Sequence, residues 1–444
     1  MGKEALTAAQ KIRSKWAALA AALVVLVVLA LVITSLSFTE AARESDEFVD
    51  SIGVNTHLHF LDGPYGDRYP LVREKLSDLG VRHARNGGII APSPAANDLF
   101  YGRLRELAQE EGVHFNLSLD PRRQNLGSVD EERVGRVARM AGPALESFEG
   151  PNELNKEGGD WASTLAAYQE DLYRAVKSNP STSDVPVLGP AIAKPYPSIG
   201  EVPDLSAYSD YANMHSYPGG RNPNARNLDN ESIPLARKIG GNDPIVATET
   251  GYTNALAYGD HHRPVSERAM GKYVPRLLFE YFNRGVQRTY LYELMDQRPD
   301  PDKDERDDNF GLLRYDGTEK PAYGALENLI GLLEDPGPRF ETGSLDYSLG
   351  DEGVKNIHHT LLQKRDGRFY LVLWQEVSSY NRDTERDLYV EPQRVQLTLD
   401  EPIKAANLYQ PNRSASRIKT YTAPERITLD VPDELLVIEL VPSD

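Results

Sequence analysis

The 444-residue chain contains no cysteine, which excludes disulfides, thiolate metal sites and a thiol nucleophile. Positive charge is scarce: 49 Lys and Arg stand against 67 Asp and Glu, a formal net charge of −18. That balance keeps the molecule soluble and sets it against polyanions, so nucleic acid is not expected as a partner. No glycine-rich phosphate loop of the GxGxxG or GxxxxGK(S/T) type is present, and no cofactor is expected. Low-complexity tracts are missing too. With 26% charged and 40% hydrophobic residues, the composition is that of a globular protein rather than a fibre or a disordered chain. The length is about three times the ~150-residue prior for one domain, which leaves room for a large domain and a companion.

Long hydrophobic runs are confined to one place. Lys3, Lys11, Arg13 and Lys15 precede Trp16, and residues 17–33 are then apolar without a break. Extended through Thr34 and Ser35 to Phe38, the run reaches about 33 Å as a helix, enough for a hydrocarbon core. Acidic Glu40, Glu44, Asp46 and Glu47 follow, so the positive-inside rule leaves the rest of the chain outside the membrane. Residues 1–38 are therefore expected to be a cytoplasmic tail with a single transmembrane anchor, or a signal cleaved near Ser37 or Ala41. A linker is expected over 39–48.

Beyond it, β-rich runs start near Ser51, Val81, Val113, Leu145, Val185, Tyr211, Pro244 and Arg288, each closed by polar or Gly/Pro residues. Helical patterns fall between them over Arg68–Leu79, Asn97–Glu111, Asp130–Met140, Trp161–Lys177 and Glu267–Phe282. Eight strand–helix units predict an α/β fold, a (β/α)8 TIM barrel over 49–335. After the turn-forming EDPGPR at 334–339 the texture changes to short alternating runs with no helical period. A C-terminal antiparallel β-sandwich is expected over 339–444.

In barrels of this kind the reactive side chains stand at the carboxyl ends of the strands. The fourth unit ends in Asn152-Glu153 and the seventh in Glu249, three units apart and so across the mouth from each other. Two carboxylates on one cavity suit glycosidic bond cleavage, one protonating the leaving oxygen and the other attacking or activating water. An Asn beside the acid can bind a sugar hydroxyl.

These residues, with the His215-Ser216-Tyr217 stretch and Arg85, resemble glycoside hydrolase clan A, the retaining TIM-barrel glycosidases. The C-terminal sandwich makes the chain most similar to family 39 and its relatives, with family 5 behind. The resemblance implies an extracellular β-glycosidase acting by double displacement on an oligo- or polysaccharide. It implies Glu153 as general acid/base, with a pKa raised by the neighbouring Glu249, and Glu249 as nucleophile. Tyr217 or His215 would hold the nucleophile and Arg85 would hydrogen-bond it. Tyr290 and Tyr292 stand where many clan members carry a Trp.

Other chemistry stays open. His57 and His59 share a face if they lie on the first strand, and could bind sugar hydroxyls, pack, or begin a metal-dependent hydrolase site. No further ligand is offered by the fifth strand, so no metal is expected. Trp161 could stack on a sugar or pack at a helix start. Trp374 reads as core of the sandwich, and Glu293 as facing either cleft or solvent. A catalytically inactive barrel that only binds carbohydrate is the remaining alternative.

Overall fold

Eight short parallel strands, each entered from the floor of the molecule, form the central sheet of this computed structural model. It describes residues 38–122, 129–194, 196–197, 199–225, 227–259, 263–350 and 354–443. The strands are Ile52–Asn55, His83–Gly87, His114–Ser118, Leu145–Glu149, Val187–Leu188, Ala212–His215, Ile245–Thr250 and Val286–Leu291. The first pairs with the second and the eighth, and a single parallel bridge between Leu188 and Tyr211 closes the ring. A (β/α)8 barrel results.

The helices follow the amphipathic stretches of the sequence. Tyr69–Leu79, Pro94–Glu106, Glu131–Ala141, Trp161–Ser178, Ile233–Gly240, Glu267–Asn283 and Pro321–Leu333 wrap the sheet. Asp130 and Ser266 cap two of them, accepting from the backbone N–H of Arg133 and Ala269 and so satisfying orphan donors. The fifth unit departs from the expected rhythm. Among the described residues it holds only the short turns Ile199–Glu201 and Ser206–Tyr208. Pro190, Pro195, Pro197 and Pro203 explain why, since each removes a backbone donor that a helix would use.

The C-terminal unit is a two-sheet sandwich, and the expected linker over 39–48 is corrected. Phe38–Ala41 pairs antiparallel with Ser344–Gly350, at the edge of the four-stranded sheet. Arg43–Glu44 pairs with Ile357–Gln363, at the edge of the six-stranded sheet. Ser45–Asp50 is a helix whose Phe48 stacks on Phe279 with ring centroids 3.9 Å apart. Edge strands this short and this charged lack the alternation by which strands are recognised. The expected anchor ends at Phe38, and the rest of it lies outside the described residues. Among those described, no helix is long and apolar enough to cross a membrane.

Two strands of the sandwich are apolar on both faces, which follows from where they sit. Along Phe369–Gln375, Phe369, Leu371 and Leu373 face the interior of the sandwich, while Tyr370, Val372 and Trp374 join the core shared with the barrel. Side chains alternate sides along a strand, so a strand buried on both faces must read as a continuous apolar run. Trp374 thus packs against the barrel helix Glu267–Asn283, donating to Glu280 Oε1 at 3.0 Å, rather than inside the sandwich. That helix is the seam between the two units. Its Arg276 is fully buried and donates to Glu376 Oε2 at 2.7 and 3.0 Å, and its Lys272 reaches Asp433 at 2.8 Å.

Candidate active site

The barrel interior turns polar toward the carboxyl ends of its strands. Asn55, Arg85, Asn116, Glu149, Asn213 and Thr248 come from six different strands, are all buried, and bond to one another. Below them Tyr290 fills the barrel with Leu188 and Val246. Gly53 makes that possible: a β-carbon there would lie 2.5 Å from Tyr290 Cδ1. Tyr290 is therefore interior packing, and Tyr292 is the strand-eight aromatic that reaches the cavity.

Above this layer a cavity of about 700 Å³ opens. It is lined by Glu153, Glu249 and Arg85, and also by Asn152, His215, Tyr217, Tyr292, His57 and His59. Trp161 is the exception among the residues singled out from the sequence. It starts the helix Trp161–Ser178 and packs on the cluster of Leu154, Leu165 and Ile192, away from the cavity.

Glu249 lies within the strand Ile245–Thr250, so its backbone is fixed by the sheet. Arg85 Nη1 donates to Glu249 Oε1 at 2.6 Å and the Tyr217 hydroxyl donates to Oε2 at 2.8 Å. Burial and the charge of Glu249 push the Tyr217 phenol well above its ordinary range, so it is a donor at neutral pH. Arg85 also grips Glu149 with two bonds, 2.7 and 2.8 Å, and donates to Asn152 Oδ1 at 2.7 Å. Burial works against the Arg85 charge, but Glu149 and Glu249 outweigh it and raise its pKa. Burial likewise acts to raise Glu149, and Arg85 more than offsets it, leaving Glu149 lowered.

Glu153 is held differently. It sits four residues beyond the fourth strand, in a left-handed turn with φ 49° and ψ 42°. That conformation costs an L-residue roughly 1–2 kcal/mol. A backbone bond from Glu153 N to Ala191 O, 3.0 Å, helps hold it. His215 Nδ1 lies 2.9 Å from Glu153 Oε1 and 3.4 Å from Glu249 Oε2, and the Lys156 ammonium donates to Glu153 Oε2. Here an expectation is corrected: the Glu153 pKa is lowered, not raised. Burial pushes it up, but His215 and Lys156 outweigh that push. Lys156 was the missing piece, one helical turn beyond the glutamate in a stretch with no distinguishing pattern.

The histidines of the first unit do not share a strand face. His57 and His59 follow the strand end, their rings 5.7 Å apart and tilted by 53°. His57 Nε2 lies 3.0 Å from Glu293 Oε2, and His59 Nδ1 lies 3.1 Å from the Asn86 amide. Glu293 is completely buried, and burial raises its pKa well above the carboxylate range. The donors that do converge are Glu153, His215 and Glu249, with ligand atoms all within 4.8 Å of one another. Arg85 and Lys156 already neutralise those two carboxylates, so the set fits ion pairing better than a bound cation.

No protein-family model matches the sequence, and no curated protein is significantly similar to it. Solved structures do match. A family 39 glycoside hydrolase from the gut symbiont Bacteroides cellulosilyticus WH2 has a TM-score of 0.61 at 13% identity, covering 90% of this chain and 82% of that one. A family 39 enzyme from Xanthomonas axonopodis pv. citri has a TM-score of 0.56 at 15% identity, covering 91% of this chain and 96% of that one. At these identities the likeness is one of fold, and it extends over barrel and sandwich together.

Proposed function

We propose that this chain is a glycoside hydrolase, a retaining β-glycosidase of the family 39 kind, with Glu249 as nucleophile and Glu153 as acid/base. The observation that carries the reading is the pair itself. A carboxylate oxygen of each glutamate lies within 4.8 Å of one from the other, at the mouth of a closed barrel. Double displacement works at about 5–5.5 Å between carboxyl groups, whereas inversion needs about 6.5–9.5 Å to hold a water between them.

In this reading Glu249 attacks the anomeric carbon while Arg85 and Tyr217 keep its carboxylate aimed. Glu153 delivers a proton to the leaving oxygen and then takes one from the incoming water. Asn152, whose oxygen is occupied by Arg85, is left with its amide N–H groups to bind a sugar hydroxyl. Glu153 must carry a proton when substrate arrives, so the Lys156 contact has to loosen as the cavity fills. Lys156 has about half of its side chain in solvent and can swing out without unfolding anything. The apolar run at 17–38 supports a location outside the cell, tethered to the membrane or released from it.

The reading is tested by incubating the protein with activated 2-fluoro sugars of several configurations, followed by peptide mass mapping. A covalent adduct on Glu249 is expected. An adduct on Glu153, or proton NMR showing inverted product, would overturn the assignment.

A further inference from the structure

Not every charge on the cavity wall is paired. Arg85 is taken up by Glu149 and Glu249, and Lys156 by Glu153. Arg306 is tied to its neighbour Asp307 at 2.6 Å. Two lining cations are left over, Lys194 and Arg221. Among the described residues no carboxylate lies within ion-pair distance of either. A protein with a net charge of −18 thus keeps two cations without an ion-pair partner on the wall of the cavity that holds the opposed carboxylates.

The two cations share one side. Lys194 follows the fifth strand, and Arg221 lies on the loop after the sixth, four residues beyond Tyr217. Lys194 Nζ donates to the Tyr217 carbonyl at 3.3 Å, and the Tyr217 hydroxyl bonds Glu249. The ammonium is therefore one residue removed from the reacting carboxylates. Around it stand the Tyr196 ring, 5.3 Å from Nζ, together with Arg221 and Glu231. Glu231 is the nearest opposing charge but makes no ion pair with it, and an ammonium drawn partly out of water with no carboxylate in contact gains from an anion supplied by a ligand.

We propose that the substrate is an acidic glycan, carrying a carboxylate or a sulfate on the unit that faces the fifth and sixth strands, with Lys194 and Arg221 as its counter-charges. The proposal rests on the glycosidase reading and narrows it. It also carries a pH signature. Burial and Arg221 pull the Lys194 pKa down to about 8, against the opposing effect of Glu231. Selectivity for the acidic glycan should then fade as the pH rises through that value, because the neutral amine no longer attracts the anion.

The test uses the full-length protein and matched polysaccharides: uronate-containing chains with their carboxyl-reduced counterparts, and sulfated chains with their desulfated ones. Reducing ends released per unit time give kcat/KM for each member of a pair. For at least one acidic member we expect a preference of at least tenfold over its neutral partner. Lys194→Met with Arg221→Met should collapse that ratio, and Lys194→Arg should restore most of it. The pair that shows the preference tells carboxylate from sulfate. Equal hydrolysis of acidic and neutral partners, or a ratio untouched in the double variant, would overturn the proposal while leaving the glycosidase reading intact. Hydrolysis of neither set by the parent protein would overturn both.

Discussion

Arg85 at the barrel mouth and Arg276 at the seam are both buried among glutamates, yet their surroundings differ in one respect. Every partner of Arg276 is locked in protein: Glu376, the Val377 and Asp433 carbonyls and Ser379. Arg85 divides itself between Glu149, which is sealed in and also bonded by Asn116, Asn213 and Thr248, and Glu249, which borders the cavity. The difference teaches how a reactive carboxylate can be built without destabilising its support. In the proposed double displacement Glu249 would lose its charge on forming a covalent bond, and Glu149 would still answer the guanidinium. The seam has no such reserve, because losing either partner there strands a buried charge. The two networks touch at Glu376, whose other oxygen accepts from Asn222 and the backbone of Asn224 on the loop that carries Tyr217.

That contrast can be broken most decisively at Glu249. Glu249→Ala should lower kcat/KM by roughly 10⁴-fold or more, while the urea midpoint stays near that of the parent because Arg85 keeps Glu149. A variant that unfolds instead would show that the mouth is held as rigidly as the seam. At the seam, Arg276→Met should cost about 3–5 kcal/mol in urea unfolding and leave turnover measurable at low temperature. A native-like midpoint there would mean that Glu376 finds another partner.

The smallest effect sharpens the account of Glu153. Lys156 helps His215 lower its pKa, and the proposed acid catalysis needs its protonated form. Lys156→Met should therefore raise that pKa and carry the high-pH limb of kcat/KM upward. The shift should be under about one pH unit, since the ammonium is half in solvent and screened. A limb that moves downward, or stays put, would remove Lys156 from the proton account.

Much of this was legible in the sequence, for reasons tied to particular residues. The barrel strands and most helices announce themselves by apolar period. Arg85, Asn152, Glu153, His215, Tyr217 and Glu249 stand at the ends of four strand–helix units, so topology alone gathers them at one mouth. What stayed hidden depends on contacts that have no local signature. Glu149 looks like the last residue of an ordinary strand, and its role exists only because Arg85 arrives from another strand. Lys156 joins His215 in reversing the expected shift of Glu153, and does so from outside the motif. Trp161 faces away by a helical phase that one residue cannot reveal. The short strands at 38–44 show no alternation, since each is only an edge.

Those two edges have a consequence for how the protein is made. Phe38 pairs with Tyr347 and Arg43 with Leu362, so these two short strands, made before the barrel, wait on partners about 300 residues downstream. At roughly 5–20 residues per second that delay is on the order of 15–60 s. Through it the whole barrel can be built while the two edge strands still lack the sheets they complete. The two edges close only when Ser344–Gly350 and Ile357–Gln363 return to residues 38–44. A protein that stalls in synthesis after the barrel is then left with open strand edges, a state suited to capture by chaperones or to aggregation.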